Sequence, residues 1–414
     1  MTRPDDEKTG RRTIVRGGVM PPSASRPVVA PLHPSVVYAS ASADALDAQY
    51  EGRVAGYTYA REGHPNADML AEKIDWLEGG EGGLITGSGM AAISAMFLGL
   101  LSRGDHVLAG DQLYGRSLRM LTRDLPRLGI ETSFADAGDA DAMAAALRPN
   151  TRIILVEAVS NPTLRVADMK GIAALATGSD VLLAVDNTFT TPAMFRPLES
   201  GGDIVINSVT KFLAGHSDVT LGYVTARNAD HRQAMRDAAV TWGLTPSPFD
   251  CWLADRGLHS FDLRFAEAER SAAAIADHLS GHIAGGGGIR RVLYPGRVDH
   301  PDHDRAQALF GGRYGNMVTF EIAGAKNSGG ENSGGRDEVN LFIEAAAGIP
   351  FAPTLGDIGS TLSHPASSSH RGLSVDERAA LGIGEGMFRL SVGIEPVEML
   401  IGELDAALAA VKGD

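Results

Sequence analysis

The 414-residue sequence has a single cysteine, Cys251, and fewer basic than acidic side chains. One thiol excludes an internal disulfide framework and a cysteine-rich metal site, and it is consistent with a reducing cytoplasm, where we predict the protein to be located. With 37 Lys and Arg against 51 Asp and Glu, the formal net charge is −14. Because nucleic acids and anionic membranes bind basic surfaces, this charge argues against both as partners.

Long hydrophobic segments are also lacking. No apolar run reaches the roughly 18 residues that a membrane-spanning helix requires. Residues 1–27 are charged and contain prolines, without an apolar segment of the signal-peptide type, and are predicted to form a flexible arm. The low-complexity patch at 324–335 is predicted to be a surface loop. The sequence is otherwise 44% hydrophobic and 21% charged, which is typical of a globular protein long enough for two domains.

Segments with helical and strand-like spacing alternate from about residue 66. Helical spacing occurs at 69–77, ended by Gly79, and at 91–101. Short apolar strands are predicted at 84–86, 106–108, 130–134, 153–156, 181–185 and 203–206. Strands that alternate with helices indicate an α/β fold whose mostly parallel sheet is covered on both faces.

The pattern changes after about residue 255. A long helix is predicted at 261–279, strands at 317–320 and 388–392, and a final helix at 397–411. This arrangement indicates a smaller α/β domain at the C-terminus. We therefore predict an N-terminal arm (1–65), a large domain (66–255) and a smaller domain (256–414).

One lysine follows a predicted buried strand. Lys211 lies in the segment NSVTKFLAGHSD (207–218), directly after the strand at 203–206. Burying a lysine is costly unless the side chain has a partner or a use. Asp186 ends the apolar strand at 181–185, and ligands of parallel sheets bind at the carboxyl ends of the strands. We therefore expect Lys211 and Asp186 to lie at the same edge of the sheet.

A lysine and an aspartate at such an edge are the residues that a pyridoxal phosphate site needs. The lysine amine forms a Schiff base with the cofactor, and the aspartate pairs with the protonated ring nitrogen. The alternative is a structural ion pair between neighbouring strand ends.

A glycine-containing turn, Gly87–Met90, joins a predicted strand to a predicted helix. Backbone amides in such a turn, together with the helix dipole, favour a bound phosphate. The hydroxyls of Ser208 and Thr210 could donate to the same phosphate. The alternatives are a tight connection and ordinary polarity at a strand end.

Several further side chains are candidates for the site. Tyr59 and Arg61 are suited to phosphate binding, although the segment also fits a solvated loop. Tyr114 follows a strand and could stack on a cofactor ring or act as an acid; packing is the alternative. Arg389 is a charge inside an apolar strand and needs an anionic partner, either a substrate carboxylate or a structural Asp or Glu. The histidines show no metal-ligand spacing that we identify, and no metal is predicted.

Together and in this order, these segments resemble the Cys/Met-metabolism pyridoxal phosphate enzymes, the cystathionine γ-synthase-like family of fold type I (aspartate aminotransferase-like), from about residue 13 to the C-terminus. The resemblance implies a Schiff-base lysine at Lys211, a ring partner at Asp186 and a stacking tyrosine at Tyr114. It implies that Tyr59 and Arg61 reach the phosphate of a neighbouring subunit. The other implied cofactor and substrate residues are Ser88, Gly89, Met90, Ser208, Thr210, Asn161, Ser360 and Arg389.

The resemblance also implies what the protein does and how it assembles. Members of the family form or cleave carbon–sulfur bonds in methionine and cysteine metabolism, and they are typically tetramers built from two active dimers. We expect a cystathionine γ-synthase or γ-lyase type of reaction. The alternatives are a cystathionine β-lyase, a methionine γ-lyase, an O-acylhomoserine sulfhydrylase, and a regulatory protein that only binds the cofactor. A dinucleotide-binding oxidoreductase would need a third glycine after Gly87-Ser88-Gly89, which is missing.

Four positions bear on the choice among these reactions. Arg119, five residues after Tyr114, matches an arginine that is implied to hold the distal carboxylate of cystathionine; a solvated helix charge is the alternative. Thr58 and Gly359 stand where γ-synthases and γ-lyases generally carry acids for the distal amino group. Arg116 replaces a small or apolar residue of the relatives and is expected to reshape the pocket.

Overall fold

A computed structural model of the chain describes residues 23–284, 288–324 and 334–413. The predicted flexible arm at 1–27 and the predicted loop at 324–335 therefore lie mostly outside the described residues. Two compact units are distinguished, residues 1–32 and 33–414. The described part of the first unit, residues 23–32, contains no helix or strand. The predicted domain boundaries near residues 65 and 255 stay predictions.

The second unit contains the helices and strands of the described residues. Its helices are α1 (Ala43–Tyr50), α2 (Pro65–Glu78), α3 (Gly89–Leu100), α4 (Gly115–Arg119), α5 (Leu125–Arg127), α6 (Ala140–Ala145), α7 (Met169–Ser179), α8 (Thr191–Met194), α9 (Ala229–Trp242), α10 (Pro248–Leu258), α11 (Phe261–Ala284), α12 (His303–Phe310), α13 (Arg336–Ala345), α14 (Val375–Ala380) and α15 (Val397–Lys412). Its strands are β1 (Leu84–Thr86), β2 (His106–Gly110), β3 (Glu131–Ala135), β4 (Thr151–Glu157), β5 (Leu182–Asp186), β6 (Ile204–Asn207), β7 (Gly222–Ala226), β8 (Ile289–Leu293), β9 (Met317–Ile322), β10 (Thr361–Ser363) and β11 (Met387–Ser391).

The larger sheet has the strand order β1-β7-β6-β5-β4-β2-β3. Strands β2 to β6 pair in parallel, whereas β7 pairs antiparallel with both β6 and β1. Strand β1 therefore runs in the same direction as β6, and the carboxyl ends of β1, β2, β4, β5 and β6 meet at one edge. The predicted mostly parallel sheet is confirmed, while β7 was not predicted from the sequence.

Both faces of the larger sheet are covered, as predicted. On β4, Ile154 and Val156 face one apolar cluster, which includes Ile172 of α7. The alternate residues Ile153 and Leu155 face a second cluster, which includes Met96 of α3. This alternation explains why the strand is apolar throughout, because each face packs against helices.

The smaller sheet is antiparallel, with the strand order β10-β11-β9-β8. Helices α11, α13 and α15 pack against it around a third apolar cluster, in which Phe320, Phe342 and Phe388 contact each other. The predicted helix at 261–279 is five residues longer, ending at Ala284. No proline interrupts the segment from 280 to 284, and a single glycine within a helix is tolerated.

Local signals set the helix ends next to the larger sheet. Helix α2 begins at Pro65, its N-cap His64 accepts a hydrogen bond from the amide of Ala67, and Gly79 ends it with φ of +69°. The N-cap of α3 is Ser88, whose hydroxyl accepts from the amide of Ala91. None of the helices formed by the described residues is both long and apolar enough to span a membrane.

Candidate active site

The candidate residues converge at the carboxyl edge of the larger sheet. The turn Gly87–Met90 follows β1, Tyr114 follows β2, and Asn161 follows β4. Asp186 is the last residue of β5, and Lys211 lies four residues after the end of β6. The parallel direction of these strands is what brings together residues that are more than a hundred positions apart in the sequence.

Lys211 is held in a tight turn by backbone contacts. Its amide donates to the carbonyl of Ser208 (3.0 Å), and its own carbonyl accepts from Gly215 (2.8 Å). The buried guanidinium of Arg264 donates to the next two carbonyls, those of Phe212 (2.8 Å) and Leu213 (3.2 Å). Arg264 therefore fixes the backbone that carries the lysine.

The Lys211 amine lies near a second cationic group, the guanidinium of Arg389. Its Nζ donates to Oγ1 of Thr354 (3.2 Å), and the carbonyl of the same Thr354 accepts from Nη2 of Arg389 (2.8 Å). Burial, and then the charge of Arg389, lower the pKa of Lys211. A larger fraction of neutral amine results, which is the form that acts as a nucleophile or a base.

Asp186 stands beside another acid, Glu157. The two residues end β5 and β4 and are paired in register. Asp186 accepts from the hydroxyl (2.6 Å) and the amide (3.1 Å) of Thr188, but burial outweighs these bonds and raises its pKa. Burial and the charge of Asp186 raise the pKa of Glu157 well above its usual range. Glu157 also accepts from the amide of Tyr114 (2.6 Å), which anchors that loop.

The N-terminus of α3 abuts the segment before Lys211. The amides of Gly89 and Met90 precede the first intrahelical bond, from Ala92 to the Ser88 carbonyl. A Cβ at Gly89 would lie 2.8 Å from the Cβ of Ser208, so this close approach requires glycine. The structure thus brings Gly89, Met90 and Ser208 together, while their role as an anion site stays a prediction.

Thr210 differs from Ser208 in how its hydroxyl is used. Its Oγ1 donates to the carbonyl of Leu221 (3.1 Å) and accepts from the amide of Leu221 (2.9 Å). These bonds tie the lysine turn to the segment before β7. A phosphate-binding role of Thr210 stays a prediction, and it would require the hydroxyl hydrogen to turn away from Leu221.

Arg389 is buried in β11 at the side of the site that faces β4. Its Nη1 donates to Oδ1 of Asn161 (2.7 Å), while its buried Nε has no hydrogen-bond partner among the described residues. Burial lowers the pKa of Arg389 to about 10. Among the described ion pairs none involves Arg389, although Glu157 is near enough for its charge to act on the guanidinium and oppose the lowering of its pKa. The Nε that has no partner leaves a donor for an external anion.

Ser360 lies close to this site but its polar groups are engaged. Its hydroxyl donates to Glu395 (3.0 Å) and accepts from the amide of Gly393 (2.9 Å). Its amide also donates to Glu395 (2.6 Å). These bonds connect the loop before β10 to the segment after β11, so Ser360 has an evident structural role beside its predicted substrate role.

Four candidates lie on the protein surface. Tyr59 is 40% exposed, and the guanidinium of Arg61 lies 5.5 Å from its ring centroid and donates to the carbonyl of Val240 (3.2 Å). No described hydrogen bond joins this pair to Lys211 or Asp186. Arg119 is exposed at the end of α4, and Tyr114, just before that helix, is 42% exposed.

Glu157, Thr354 and Glu78 take part in the site but were not identified from the sequence. Glu157 could have been identified, because it ends an apolar strand just as Asp186 does. Glu78 is buried at the end of α2 and accepts from the side-chain amides of Asn187 (3.0 and 3.2 Å) and Asn207 (2.6 Å). These asparagines adjoin Asp186 and Ser208, so the hydrogen bonds to Glu78 stabilise the carboxyl ends of β5 and β6.

The described residues fit pyridoxal phosphate. Asp186 is a buried carboxylate with no cationic partner among the described ion pairs, and a protonated ring nitrogen would supply one. The amides at the start of α3 and the hydroxyl of Ser208 suit a phosphate. The Lys211 amine suits covalent attachment of the cofactor.

Comparisons with known proteins agree with this geometry. The family model described as "Cys/Met metabolism PLP-dependent enzyme" matches residues 12–409. A cystathionine β-lyase of Bacillus subtilis is 39% identical over 86% of this chain and 87% of its own. A cystathionine γ-lyase of the same organism is 34% identical over 95% and 98%. The crystal structure of a cystathionine γ-synthase from Xanthomonas oryzae, in complex with cystathionine, superimposes with a TM-score of 0.84 at 35% identity, covering 93% of each chain.

Proposed function

The chain belongs to the Cys/Met metabolism PLP-dependent enzymes, and we propose that it acts on the γ carbon–sulfur bond of cystathionine, as a γ-lyase or γ-synthase. The observation that carries the proposal is that Lys211 and Arg389 both donate hydrogen bonds to the same residue, Thr354. Lys211 would hold the cofactor, and Arg389 would bind the α-carboxylate of an amino-acid substrate beside it.

Membership in this family confirms several predictions from the sequence. The cofactor is pyridoxal phosphate, the fold is that of fold type I, and the protein is an enzyme of sulfur amino-acid metabolism acting on small amino-acid substrates. The regulatory protein and the dinucleotide-binding oxidoreductase are therefore set aside.

Lys211 is assigned two tasks, holding the cofactor and moving a proton. Pyridoxal phosphate, when bound, supplies an electron sink for bond breaking at the substrate α carbon. The lowered pKa of the Lys211 amine favours its neutral form, which can accept the α-proton. The turn held by Arg264 keeps Nζ in place for this transfer.

Asp186 and the α3 N-terminus are assigned to the two ends of the cofactor. The Asp186 carboxylate would pair with the ring nitrogen, and this positive charge would offset the burial that raises the pKa of Asp186. Gly89, Met90 and Ser208 would hold the phosphate through two amides and a hydroxyl. Tyr114, whose amide is anchored by Glu157, would stack on the ring.

Arg389 and Asn161 are assigned to the substrate α-carboxylate. The buried Nε of Arg389 lacks a partner, and a carboxylate would accept from it. Asn161 orients the guanidinium through its Oδ1. An arginine held in this way distinguishes an amino acid from an amine that lacks the carboxylate.

Arg119 supports cystathionine as the substrate. It lies on α4, which begins directly after Tyr114, and its exposed guanidinium has no ion-pair partner among the described residues. A distal carboxylate is a fitting partner, and cystathionine has one whereas methionine does not.

A second candidate function is favoured by Gly359. An acid at position 359 could bind a distal amino group, but glycine stands there. The two carboxylates near this backbone already accept hydrogen bonds from the protein: Asp357 from the Gly359 amide (2.7 Å) and Glu395 from Ser360. Thr58, the other position without an acid, donates its hydroxyl to Glu62 (2.7 Å). A substrate without a distal amino group, as in a methionine γ-lyase or an O-acylhomoserine sulfhydrylase, agrees with this pattern.

We also propose a homotetramer of two active dimers, located in the cytoplasm. Exposed apolar side chains on the segment 36–54, among them Val36, Val37, Tyr50 and Val54, support burial against another subunit. Tyr59 and Arg61, which lie on the surface of one chain, would then complete the phosphate site of a neighbour. The single buried thiol, Cys251, is consistent with a reducing compartment.

The test is a comparison of products from L-cystathionine, L-methionine, L-cysteine and O-succinyl- or O-acetylhomoserine, each added to the purified holoenzyme. Cleavage at the γ carbon of cystathionine yields cysteine, 2-oxobutanoate and ammonia, whereas β-cleavage yields homocysteine, pyruvate and ammonia. Formation of cystathionine from cysteine and a homoserine ester identifies a synthase. A higher kcat/KM for methionine than for cystathionine would replace the proposal by the second candidate.

Arg119→Ala then tests how the distal carboxylate is recognised. Loss of one charged contact should raise KM for cystathionine by about tenfold, with KM for methionine unchanged. Arg123→Ala, an exposed arginine one helical turn further on, is the matched control. Equal effects of both variants on both substrates would contradict the assignment of Arg119.

A further inference from the structure

Two histidines and an aspartate meet between helices α11 and α15. His278 and His282 are four residues apart on α11, so they lie on the same face of that helix. Asp405 projects from α15, and its Oδ1 lies 2.7 Å from Nε2 of His278 and 3.1 Å from Nε2 of His282. The two Nε2 atoms are 3.3 Å apart. The histidine pair was not identified from the sequence, although its spacing is visible there.

These distances suit three ligands of one metal ion. Donors that each lie about 2.0–2.1 Å from an ion, at angles between those of an octahedron and a tetrahedron, are roughly 2.9–3.4 Å apart. The three observed separations fall at or close to this range. The separations therefore permit one ion to contact all three donors, and because the three side chains are partly exposed, water can complete the coordination.

The chemistry of the donors selects the class of ion. Two imidazoles and one carboxylate suit first-row divalent transition metals such as Zn²⁺, whereas Ca²⁺ and Mg²⁺ prefer oxygen ligands throughout. Among the described ion pairs, Asp405 is paired with these two histidines and with no lysine or arginine. The adjacent Asp277 is already paired with Arg297, at 2.5 Å.

The two helices hold the three side chains on a rigid base. Leu279, next to His278, and Leu404, next to Asp405, are both buried in the apolar cluster of the smaller sheet. A site mounted on packed helices loses little conformational entropy when an ion binds. Of the residues placed in the active site above, Arg264 belongs to α11, but it lies 14 residues, or about 21 Å along the helix, before His278, so the cluster is separate from the chemistry proposed above.

We propose that His278, His282 and Asp405 form a binding site for one Zn²⁺ ion, or a similar divalent transition metal, which cross-links the C-terminal helix α15 to α11. The ion has a structural role, since it joins two helices that otherwise meet through apolar contacts and one shared carboxylate. Metal binding to the folded state should then raise the thermal midpoint of unfolding.

The experiment measures Zn²⁺ uptake by the untagged, full-length holoenzyme after treatment with a chelator. Equilibrium dialysis with elemental analysis should show one Zn²⁺ per chain at micromolar Zn²⁺, and Co²⁺ should give a ligand-field absorption spectrum. His282→Gln and Asp405→Asn should each weaken Zn²⁺ binding by about tenfold or more, because each removes one of three ligands. Both variants should also lose the rise in thermal midpoint that Zn²⁺ causes.

His231→Gln is the matched control, since it removes a histidine from the surface of α9. It should retain wild-type uptake of Zn²⁺. The proposal is overturned if the wild-type chain takes up no Zn²⁺, or if His282→Gln and Asp405→Asn bind it as tightly as the wild type. The second result would identify adventitious binding elsewhere, and circular dichroism of both variants verifies that each is folded.

Discussion

Lys211 and Arg389 donate hydrogen bonds to two oxygens of a single residue, Thr354. The amine uses the side-chain hydroxyl, and the guanidinium uses the backbone carbonyl. This arrangement holds a nucleophilic amine and an anion-binding group close to each other through one residue. It also explains why the charge of Arg389 contributes to the lowered pKa of Lys211.

Replacement of Lys211 tests the central assignment. Lys211→Ala should lower kcat by about 1,000-fold or more and abolish the visible absorption band of the bound cofactor, because no amine remains for attachment or for proton transfer. Absorption spectra and steady-state kinetics of the purified variant provide the measurement. Lys170→Ala, at an exposed lysine, should change neither. Turnover that survives in Lys211→Ala would rule out the proposed mechanism.

The neighbouring acids Asp186 and Glu157 should differ in their importance. Asp186→Asn removes the proposed charge partner of the ring nitrogen and should lower kcat by about 100-fold, or about 3 kcal/mol. Glu157→Gln keeps an oxygen that can accept from the Tyr114 amide, and it should cost less than about tenfold. Kinetics of both variants, with folding verified by circular dichroism, give the comparison. A larger loss of kcat in Glu157→Gln than in Asp186→Asn would contradict the assignment of the ring contact to Asp186.

Arg389 should control substrate binding rather than cofactor binding. Arg389→Lys keeps the charge but loses the planar set of donors to Asn161 and to a carboxylate, and KM should rise by about 10- to 100-fold. The cofactor absorption band should persist. Arg290→Lys, at an exposed arginine paired with Glu321, is the control and should leave KM unchanged. Loss of the cofactor band with unchanged KM would refute the carboxylate assignment.

Glu78 should make stability depend on pH. Burial raises the pKa of Glu78 from its ordinary value near 4.5 to about 7. The folded state thus binds this proton more tightly than the unfolded state, so its contribution to stability is complete below about pH 4.5 and declines as the pH rises to about 7. The loss should amount to about 3 kcal/mol at most.

The measurement is chemical denaturation of wild type and Glu78→Gln across this pH range. The variant is expected to be less stable overall, because its new NH₂ group faces the amide donors of Asn187 and Asn207. It should nevertheless show a smaller fall in stability with rising pH. Glu344→Gln, on the exposed surface of α13, should follow the wild type. Identical pH profiles for Glu78→Gln and wild type would contradict the assigned pKa.

The sequence alone was sufficient for the strands that build the site and for the residues at their ends. Apolar strands of three to seven residues are visible as continuous runs, and a polar residue such as Asp186 at the end of a run is conspicuous. The helices α2, α3 and α15 were also predicted within a few residues, because caps and helical spacing are local signals. Strand β7 was missed, since it begins with Gly222 and glycine is depleted in strands.

Contacts across long stretches of chain could not be predicted in this way. Thr354 lies 143 residues from Lys211, and Asn161 lies 228 residues from Arg389. Nothing in the local pattern around Thr354 indicates which amine it will meet. The same holds for Glu78, whose partners Asn187 and Asn207 are 109 and 129 residues away.

By itself, the sequence determined the α/β architecture and the enzyme family, and it predicted Lys211 and Asp186 as the cofactor residues, because those depend on local periodicity and on a motif around one lysine. The tertiary structure decided which partners each group has: the shared Thr354, the paired acids Glu157 and Asp186, and the cluster at His278. The physical reason is that strand order and helix packing set distances between residues remote in the chain, and those distances determine hydrogen bonds, pKa shifts and ligand sets.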